Sequence, residues 1–420
     1  MDQMSRFNAI SDVHSFLDSI PMFQKAGTSA ANFSLDAIRT FCEALGDPQK
    51  QYPSIHVAGT NGKGTTSYLL EKIYSDAGYK AGLFTSPHLL RYNERVRVSQ
   101  LEITDQQMLE FFRTADDLFK EIKLSYFEIS TALAFWFFAE QEVDVAIIET
   151  GLGGRLDSTN IITPEVSVIT SIGLDHQNVL GDTIEEIAAE KAGIIKEGIP
   201  VVIGNITGSA KTVIEREARS KHASLTYAEE LDPKWNKGTV TLKKADIEIK
   251  TSFKESVNRW NVAISFLVTE VLQDQFPMQE DRLLDAIKNF EGAPGRFEKI
   301  HPKYEWYFSG SHNSQALESS LEGIRAIKSI SETVLVFSAM KDKLNPEMFK
   351  YLKGFKKAYF IEQEGDRAAK LSDLKGNLEV ELIGESQKEN ILNELKTELV
   401  IFMGSFYFYP IVKRWTENVS

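Results

Sequence analysis

The chain has a single cysteine, Cys42, in 420 residues. One thiol excludes an internal disulfide and a cysteine-based zinc site, and it fits a reducing compartment. Long apolar runs are also missing. The longest, near residues 132–139, falls far short of the roughly 20 residues a bilayer-crossing helix needs. No signal-peptide pattern is visible, since Met1 to Asn8 is polar and no apolar core follows. Excess positive charge is absent as well: the net charge is −13. That disfavours nucleic acid and anionic membrane as partners, because both attract basic surfaces. The expectation is a cytoplasmic protein, monomeric and acting on small molecules.

What is present is an ordinary globular composition, 42% apolar and 25% charged. The length exceeds one ordinary core, so two domains are expected. Short β-branched runs at 54–58, 81–84, 144–149, 166–170 and 200–204 alternate with helical periodicity at 67–76, 127–140 and 184–194. This alternation predicts a parallel sheet covered by helices, an α/β fold. Thr183 and Glu186 fit a capping box at the start of the third helix. Residues 226–251 read as an exposed antiparallel hairpin, followed by a helix at 259–273. Gly292, Pro294 and Gly295 mark a hinge. Beyond it strands are expected at 305–308, 333–337, 357–361 and 399–403, with helices at 314–328 and 387–395. The expected domains are therefore 1–293 and 294–420.

The stretch Ser54-Ile-His-Val-Ala-Gly-Thr-Asn-Gly-Lys-Gly-Thr-Thr66 runs from a strand through a glycine-rich turn straight into a helix. Gly59, Gly62 and Gly64 let the backbone around Asn61 curl so that successive N–H groups face one anion. The helix start adds its positive dipole end. Lys63 supplies a point charge, and Thr65 or Thr66 can place a hydroxyl on phosphate or metal. The usual phosphate-loop pattern puts Ser or Thr directly after the lysine; here Gly64 intervenes.

Glu149 ends the apolar run Val145-Ala-Ile-Ile-Glu149, and the glycine-rich turn Thr150-Gly-Leu-Gly-Gly-Arg-Leu-Asp157 follows. An acid at the carboxyl end of a central strand, beside a phosphate loop, suits Mg²⁺. His176 follows another expected strand end and could also ligate. By its own sequence surroundings Lys191 reads only as a helix-surface lysine.

Taken together, these motifs resemble the folylpolyglutamate and dihydrofolate synthases of the Mur-ligase superfamily, over nearly the whole chain. Further pieces carry the resemblance: Thr85-Ser-Pro-His-Leu89 with Asn93-Glu-Arg95, Tyr126-Phe-Glu128, Thr170-Ser-Ile-Gly-Leu-Asp-His176, Glu190-Lys-Ala-Gly-Ile-Ile195, Pro294-Gly-Arg296 and Ser338-Ala-Met-Lys-Asp-Lys343. The resemblance implies a P-loop domain with a parallel sheet plus a smaller Rossmann-like α/β domain. It implies that Gly62, Lys63, Gly64 and Thr65 hold ATP phosphates, and that Ser86 and Glu149 bind one Mg²⁺ and His176 a second. Lys191 would be carbamylated and become a metal ligand. Asn261 would contact the nucleotide base, and Arg296 the phosphates. One motif departs from the family: Asp-Gly-Ala-His-Asn-Pro is here Ser309-Gly-Ser-His-Asn-Ser314, so Ser309 replaces an acid that contacts nucleotide in the family.

The implied reaction activates a carboxylate with ATP as an acyl phosphate, which the amine of L-glutamate then attacks. Dihydropteroate and folate are the candidate acceptors. His312 is a candidate base. Phe127, Arg155 and Asp157, with the loop near Asn32 to Asp36, are candidates for the flat pteroate part. Two other readings stay open: a related amide ligase with another substrate, or a weakened nucleotide-binding paralogue.

Overall fold

The computed structural model describes residues 5–21, 34–344, 346–384, 387–417 and 419. Eight strands form the larger sheet: β1 Ser54–Ala58, β2 Ala81–Phe84, β3 Val96–Val98, β4 Leu101–Glu102, β5 Val145–Glu149, β6 Val166–Ser171, β7 Val201–Asn205 and β8 Leu225–Tyr227. Their order is β4-β3-β2-β5-β1-β6-β7-β8, parallel except for the β3 and β4 edge. Strands β1 and β5 are buried along their whole length, which is why they read as unbroken apolar runs instead of alternating ones.

The topology places the site. Strand β1 lies between β5 and β6, with Val57 opposite Glu149 and Ala58 opposite Ile169. The carboxyl ends of three neighbouring strands therefore release the Gly59 turn, Glu149 and the Thr170–Ser171 pair along one sheet edge.

Helix α1, Lys63–Asp76, begins at the end of that turn. Helix α2, Tyr126–Glu140, buries most of its circumference and is capped by Ser125, whose hydroxyl accepts from the Glu128 amide. Helix α3, Ile184–Ala192, has the expected Thr183–Glu186 capping box, and it ends sooner than its periodicity suggests. Ile194 and Ile195 beyond it are buried and prolong the apolar pattern without prolonging the helix.

The hairpin expected over 226–251 is corrected. Thr226 belongs to β8, which pairs in parallel with β7. Strands β9 Pro233–Asn236, β10 Thr239–Leu242 and β11 Ile247–Lys250 then form a separate three-stranded sheet. The alternation of Val240, Leu242, Ile247 and Ile249 did mark half-exposed strands. The edge strand β8 is intermediate in burial at all three positions and gives no periodic signal.

A second sheet is built from β12 Glu298–Lys299, β13 Trp306–Ser309, β14 Thr333–Ser338, β15 Lys357–Phe360, β16 Glu381–Leu382 and β17 Leu399–Gly404, in the order β12-β13-β17-β14-β15-β16. All its pairings are parallel except β12 with β13. Helix α4, Asn258–Val271, precedes this sheet in sequence, and helix α5, Ser314–Arg325, packs Leu317, Leu321 and Ile324 into a core with Leu335, Phe337 and Ile401. Two compact units result: Met1–Lys234 with Thr241–Ile249 and Arg259–Phe290, and Trp235–Val240 with Lys250–Asn258 and Glu291–Ser420. Among the described residues no helix is long and apolar enough to cross a membrane.

Candidate nucleotide and metal site

The turn between β1 and α1 is pinned from β6. The hydroxyls of Thr170 and Ser171 both donate to the Asn61 carbonyl, at 2.7 and 2.9 Å. The Asn61 amide donates to the Ser171 hydroxyl at 3.0 Å, and the Thr60 amide to the Ser171 carbonyl at 2.8 Å. Thr170 and Ser171 lie within the sequence motif that ends at His176, and no role for them is expected from the sequence. Their signal was position: hydroxyls at the end of a strand beside a phosphate loop.

Two glycines are obligatory here. A side chain at Gly59 would meet the Thr170 hydroxyl at 1.9 Å. Gly62 has φ +88, and a Cβ there would stand 2.7 Å from Asn261 Oδ1. Asn261, on α4, also accepts from the Thr66 hydroxyl at 3.2 Å, so it buttresses the start of α1. Gly62→Ala is therefore expected to weaken ADP binding about tenfold or more, from left-handed strain plus the displaced Asn261. Titration calorimetry would check this, and wild-type affinity would show that the loop conformation is not the binding conformation.

Lys63 and Lys191 converge on one oxygen. Both ammonium groups donate to the Gly59 carbonyl, at 3.0 and 2.9 Å. The surface reading of Lys191 is corrected: the side chain is buried, with 4% of its area exposed. Burial and the neighbouring Lys63 charge push its amine down to about 7, against the opposing pull of Asp175, Asp157 and Glu190. Such an amine gives up its proton far more readily than an ordinary lysine.

Glu149 meets the loop on its other side. A Cβ at Gly64 would lie 3.8 Å from one Glu149 carboxylate oxygen and 3.9 Å from the other. The Ser86 amide donates to Glu149 Oε2 at 3.2 Å. Glu149 is buried, and a carboxylate in that setting calls for cationic or hydrogen-bonding company. Among the described residues no group of three or more His, Cys, Asp and Glu gathers that could hold a metal by itself. Magnesium does not need one, since it takes one or two carboxylates and completes its shell with phosphate oxygens and water. One buried carboxylate against a phosphate-type loop fits that ion. His176 caps a short helix in the left-handed region, next to Asp175, whose carboxylate accepts the His176 amide at 2.8 Å.

The glycine turn after Glu149 packs against the helix bearing Lys191. The Arg155 amide donates to the Glu190 carbonyl at 2.7 Å, and a Cβ at Gly154 would sit 2.9 Å from the Lys191 carbonyl. The Asp157 carboxylate accepts from the Leu152 amide, the Thr159 amide and the Thr159 hydroxyl. It is buried, and desolvation holds its pKa above the ordinary value. Asp157 thus shapes the turn. Arg155 pairs with Glu190 at 2.7 Å on the surface. Phe127 lies against Gly151, where a Cβ would be 2.4 Å from the ring. Of the loop near Asn32 to Asp36, Asn32 and Phe33 lie outside the described residues.

In the second unit the Arg296 guanidinium lies over the Phe406 ring, 4.4 Å from its centroid. His312 Nδ1 is 2.8 Å from the Gly310 carbonyl, and its ring stands 6.0 Å from Phe406. Asn313 caps α5, accepting from the Ala316 amide at 3.0 Å. Ser309 points into a buried hydroxyl cluster with Ser311 and Ser320.

Comparison with known proteins places this arrangement. Residues 57–269 match the Mur ligase middle domain, and residues 295–406 match the Mur ligase glutamate ligase domain. The dihydrofolate synthase/folylpolyglutamate synthase of Bacillus subtilis is 36% identical over 404 residues, 90% of this chain and 94% of that protein. The folylpolyglutamate synthase of Lacticaseibacillus casei is 30% identical over 428 residues, covering 95% and 96% of the two chains. The solved structure of E. coli FolC in complex with DHPP and ADP superposes with a TM-score of 0.84 at 27% identity, covering 98% of each chain. The chain accordingly belongs to the Mur ligase family, among the dihydrofolate synthase/folylpolyglutamate synthase enzymes, which are ATP-dependent ligases.

Proposed function

We propose that this chain joins L-glutamate to a dihydropteroate or folate carboxylate, with ATP as the activating co-substrate. The observation that carries the reading is the approach of Glu149 to Gly64, where an added Cβ would lie 3.8 Å from the carboxylate, so the phosphate loop and a buried acid adjoin. The relatives' names support the choice of substrate, as does the FolC complex with DHPP and ADP.

In this reading the acceptor carboxylate attacks the γ-phosphorus, the bond to the β,γ-bridging oxygen breaks, and ADP leaves. The neutral amine of glutamate then attacks the acyl carbon and phosphate departs. The loop amides from Asn61 to Thr65, the α1 terminus and Lys63 hold the phosphates, and Asn261 fixes the loop that presents them. Magnesium, when bound, would neutralise triphosphate charge, held by Glu149 and Ser86, and at a second position by His176 and carbamylated Lys191. The Lys191 amine, neutral in part at pH 7, adds to carbon dioxide with loss of a proton, and the cation becomes an anion. Phe127 supplies an apolar wall for the pteridine, and Arg155 a charge at its rim. Asp157 acts by holding the turn between them. His312 takes the amine proton, and Arg296 assists at the phosphates. The working form is a cytoplasmic monomer.

Purified protein should release phosphate from ATP only when L-glutamate and either dihydropteroate or tetrahydrofolate are both present. Glutamate-dependent release with some other acid in place of either pterin would move the chain to another ligase specificity. Nucleotide binding without turnover would make it a binding subunit.

A further inference from the structure

His56 stands in the middle of β1, just before the Gly59 turn, and it is fully buried. A histidine among Ile55, Val57 and Ala58 needs a polar partner. Its Nε2 lies 2.9 Å from the Thr159 hydroxyl oxygen. That hydroxyl donates to the Asp157 carboxylate at 2.6 Å. Asp157 also accepts the Leu152 and Thr159 amides, as a carboxylate does. Thr159 has one hydroxyl proton. With that proton on the Asp157 contact, the Thr159 oxygen accepts from His56, so the ring carries its proton on Nε2. Among the described residues the buried Nδ1 has no hydrogen-bond partner. Moving the proton there would leave a bare N–H, and a lone pair facing a lone pair at Thr159, which is the costlier arrangement. Burial, with the Lys196 charge adding to it, pushes the imidazole down to about 3, so the ring is neutral at pH 7.

The segment that His56 holds, Asp157 to Asn160, is tied to every residue proposed above for the pteroate part. Asp157 belongs to it. The Ser158 hydroxyl lies 2.8 Å from the Thr131 hydroxyl, which donates to the Phe127 carbonyl at 3.0 Å, so the start of α2 is fixed from the same segment. Asn160 Nδ2 donates to the Arg155 carbonyl at 3.0 Å and to the Gly193 carbonyl at 2.9 Å. All four side chains of the segment are buried. The Thr159 hydroxyl carries its side-chain bond to β1.

We propose that His56 is a positioning residue for the acceptor: its Nε2–H, through the Thr159 hydroxyl and the Asp157 carboxylate, fixes the segment shared by Phe127, Arg155 and Asp157 to the strand that delivers the phosphate loop. The inference rests on the acceptor site proposed above. The gain is registry. One rigid strand sets both the loop for the transferring phosphate and the segment for the attacking carboxylate, and a misplacement of about 1 Å between reacting groups costs about a hundredfold in rate. No group of the chain gains or loses a proton in the reaction.

The test compares His56→Leu, which removes the donor, with His56→Gln, whose side-chain amide donates to Thr159 in place of Nε2–H. In His56→Leu the KM for dihydropteroate or tetrahydrofolate should rise about tenfold, the effect of one lost buried hydrogen bond, while ADP affinity by calorimetry stays at the wild-type value. His56→Gln should recover most of the loss. Thr159→Val should raise the same KM, and joining it to His56→Leu should add little, because the two side chains act in one chain. Where His56→Leu does not fold, Thr159→Val carries the comparison, with Thr159→Ser as its rescue. A further readout needs no ligand. With ¹⁵N-labelled histidine, the His56 nitrogens of the wild type should show the neutral Nε2–H ring, unchanged from about pH 8 to about pH 5. A KM that stays at the wild-type value in His56→Leu, or rises equally in His56→Gln, would overturn the positioning role. So would a loss of ADP affinity as large as the rise in KM, since the damage would then lie in β1 itself. An Nδ1–H ring, or a ring that takes up a proton in that range, rules out the hydrogen-bond chain. If the wild type binds neither pterin, the proposed acceptor fails and takes the positioning role with it, while the nitrogen resonances still decide the chain.

Discussion

Glu149→Ala should lower phosphate release by about a thousandfold, the scale at which a preorganised electrostatic contact to a transferring phosphoryl group acts. The fold should survive. Glu149 is the last residue of β5, and the lost acceptor for the Ser86 amide costs about 1 kcal/mol. For a chain of this size that corresponds to a shift of only a few degrees in thermal midpoint. Glu149→Gln separates charge from shape: it keeps an acceptor for Ser86 and should fail almost as badly if the carboxylate's role is to hold a cation. Near-wild-type turnover in both variants would remove the acid from the chemistry, and the reading of the Gly64–Glu149 contact would fall with it.

The two elements that make this prediction possible were visible in the sequence for different reasons. The parallel strands are buried on both faces, so β1 and β2 stood out as apolar runs with the boundaries the structure has. The turn was legible because glycine at three near positions beside a lysine has few other uses. That Glu149 and the turn are neighbours was not legible from periodicity. It follows from the strand order, in which β5 and β6 flank β1, and strand order depends on contacts distant in sequence.

Other features were illegible for physical reasons. The short antiparallel pair β3 and β4 offers too few residues for alternation to show. Lys191 reads as exposed because lysine on a helix usually is; only tertiary packing reveals that its amine lies under the Gly59 carbonyl. The substitution at position 309 was visible as a departure from a family pattern, but its consequence needed the hydroxyl geometry.

Lys191→Met should remove activity, by about a hundredfold or more, and at the same time stabilise the protein. The sign follows from linkage. In the unfolded chain the amine holds its proton up to about 10.5, and in the folded chain only up to about 7. Between those values the unfolded state binds more protons, so stability rises with pH across the interval and is lowest below 7. Near neutral pH the wild type therefore bears a penalty of several kcal/mol for burying this amine, and methionine, of similar length and without charge, does not. The wild-type thermal midpoint should climb from about pH 7 toward alkaline pH, relative to the variant, and the two curves should converge. Bicarbonate should add to the contrast. A carbamate replaces the buried cation beside Lys63 with an anion, so ¹³C-bicarbonate should give a carbamate resonance in the wild type and none in Lys191→Met. A variant that is both less stable and still active would mean that the buried amine is a structural tie to the Gly59 carbonyl, and that the site does not depend on its conversion.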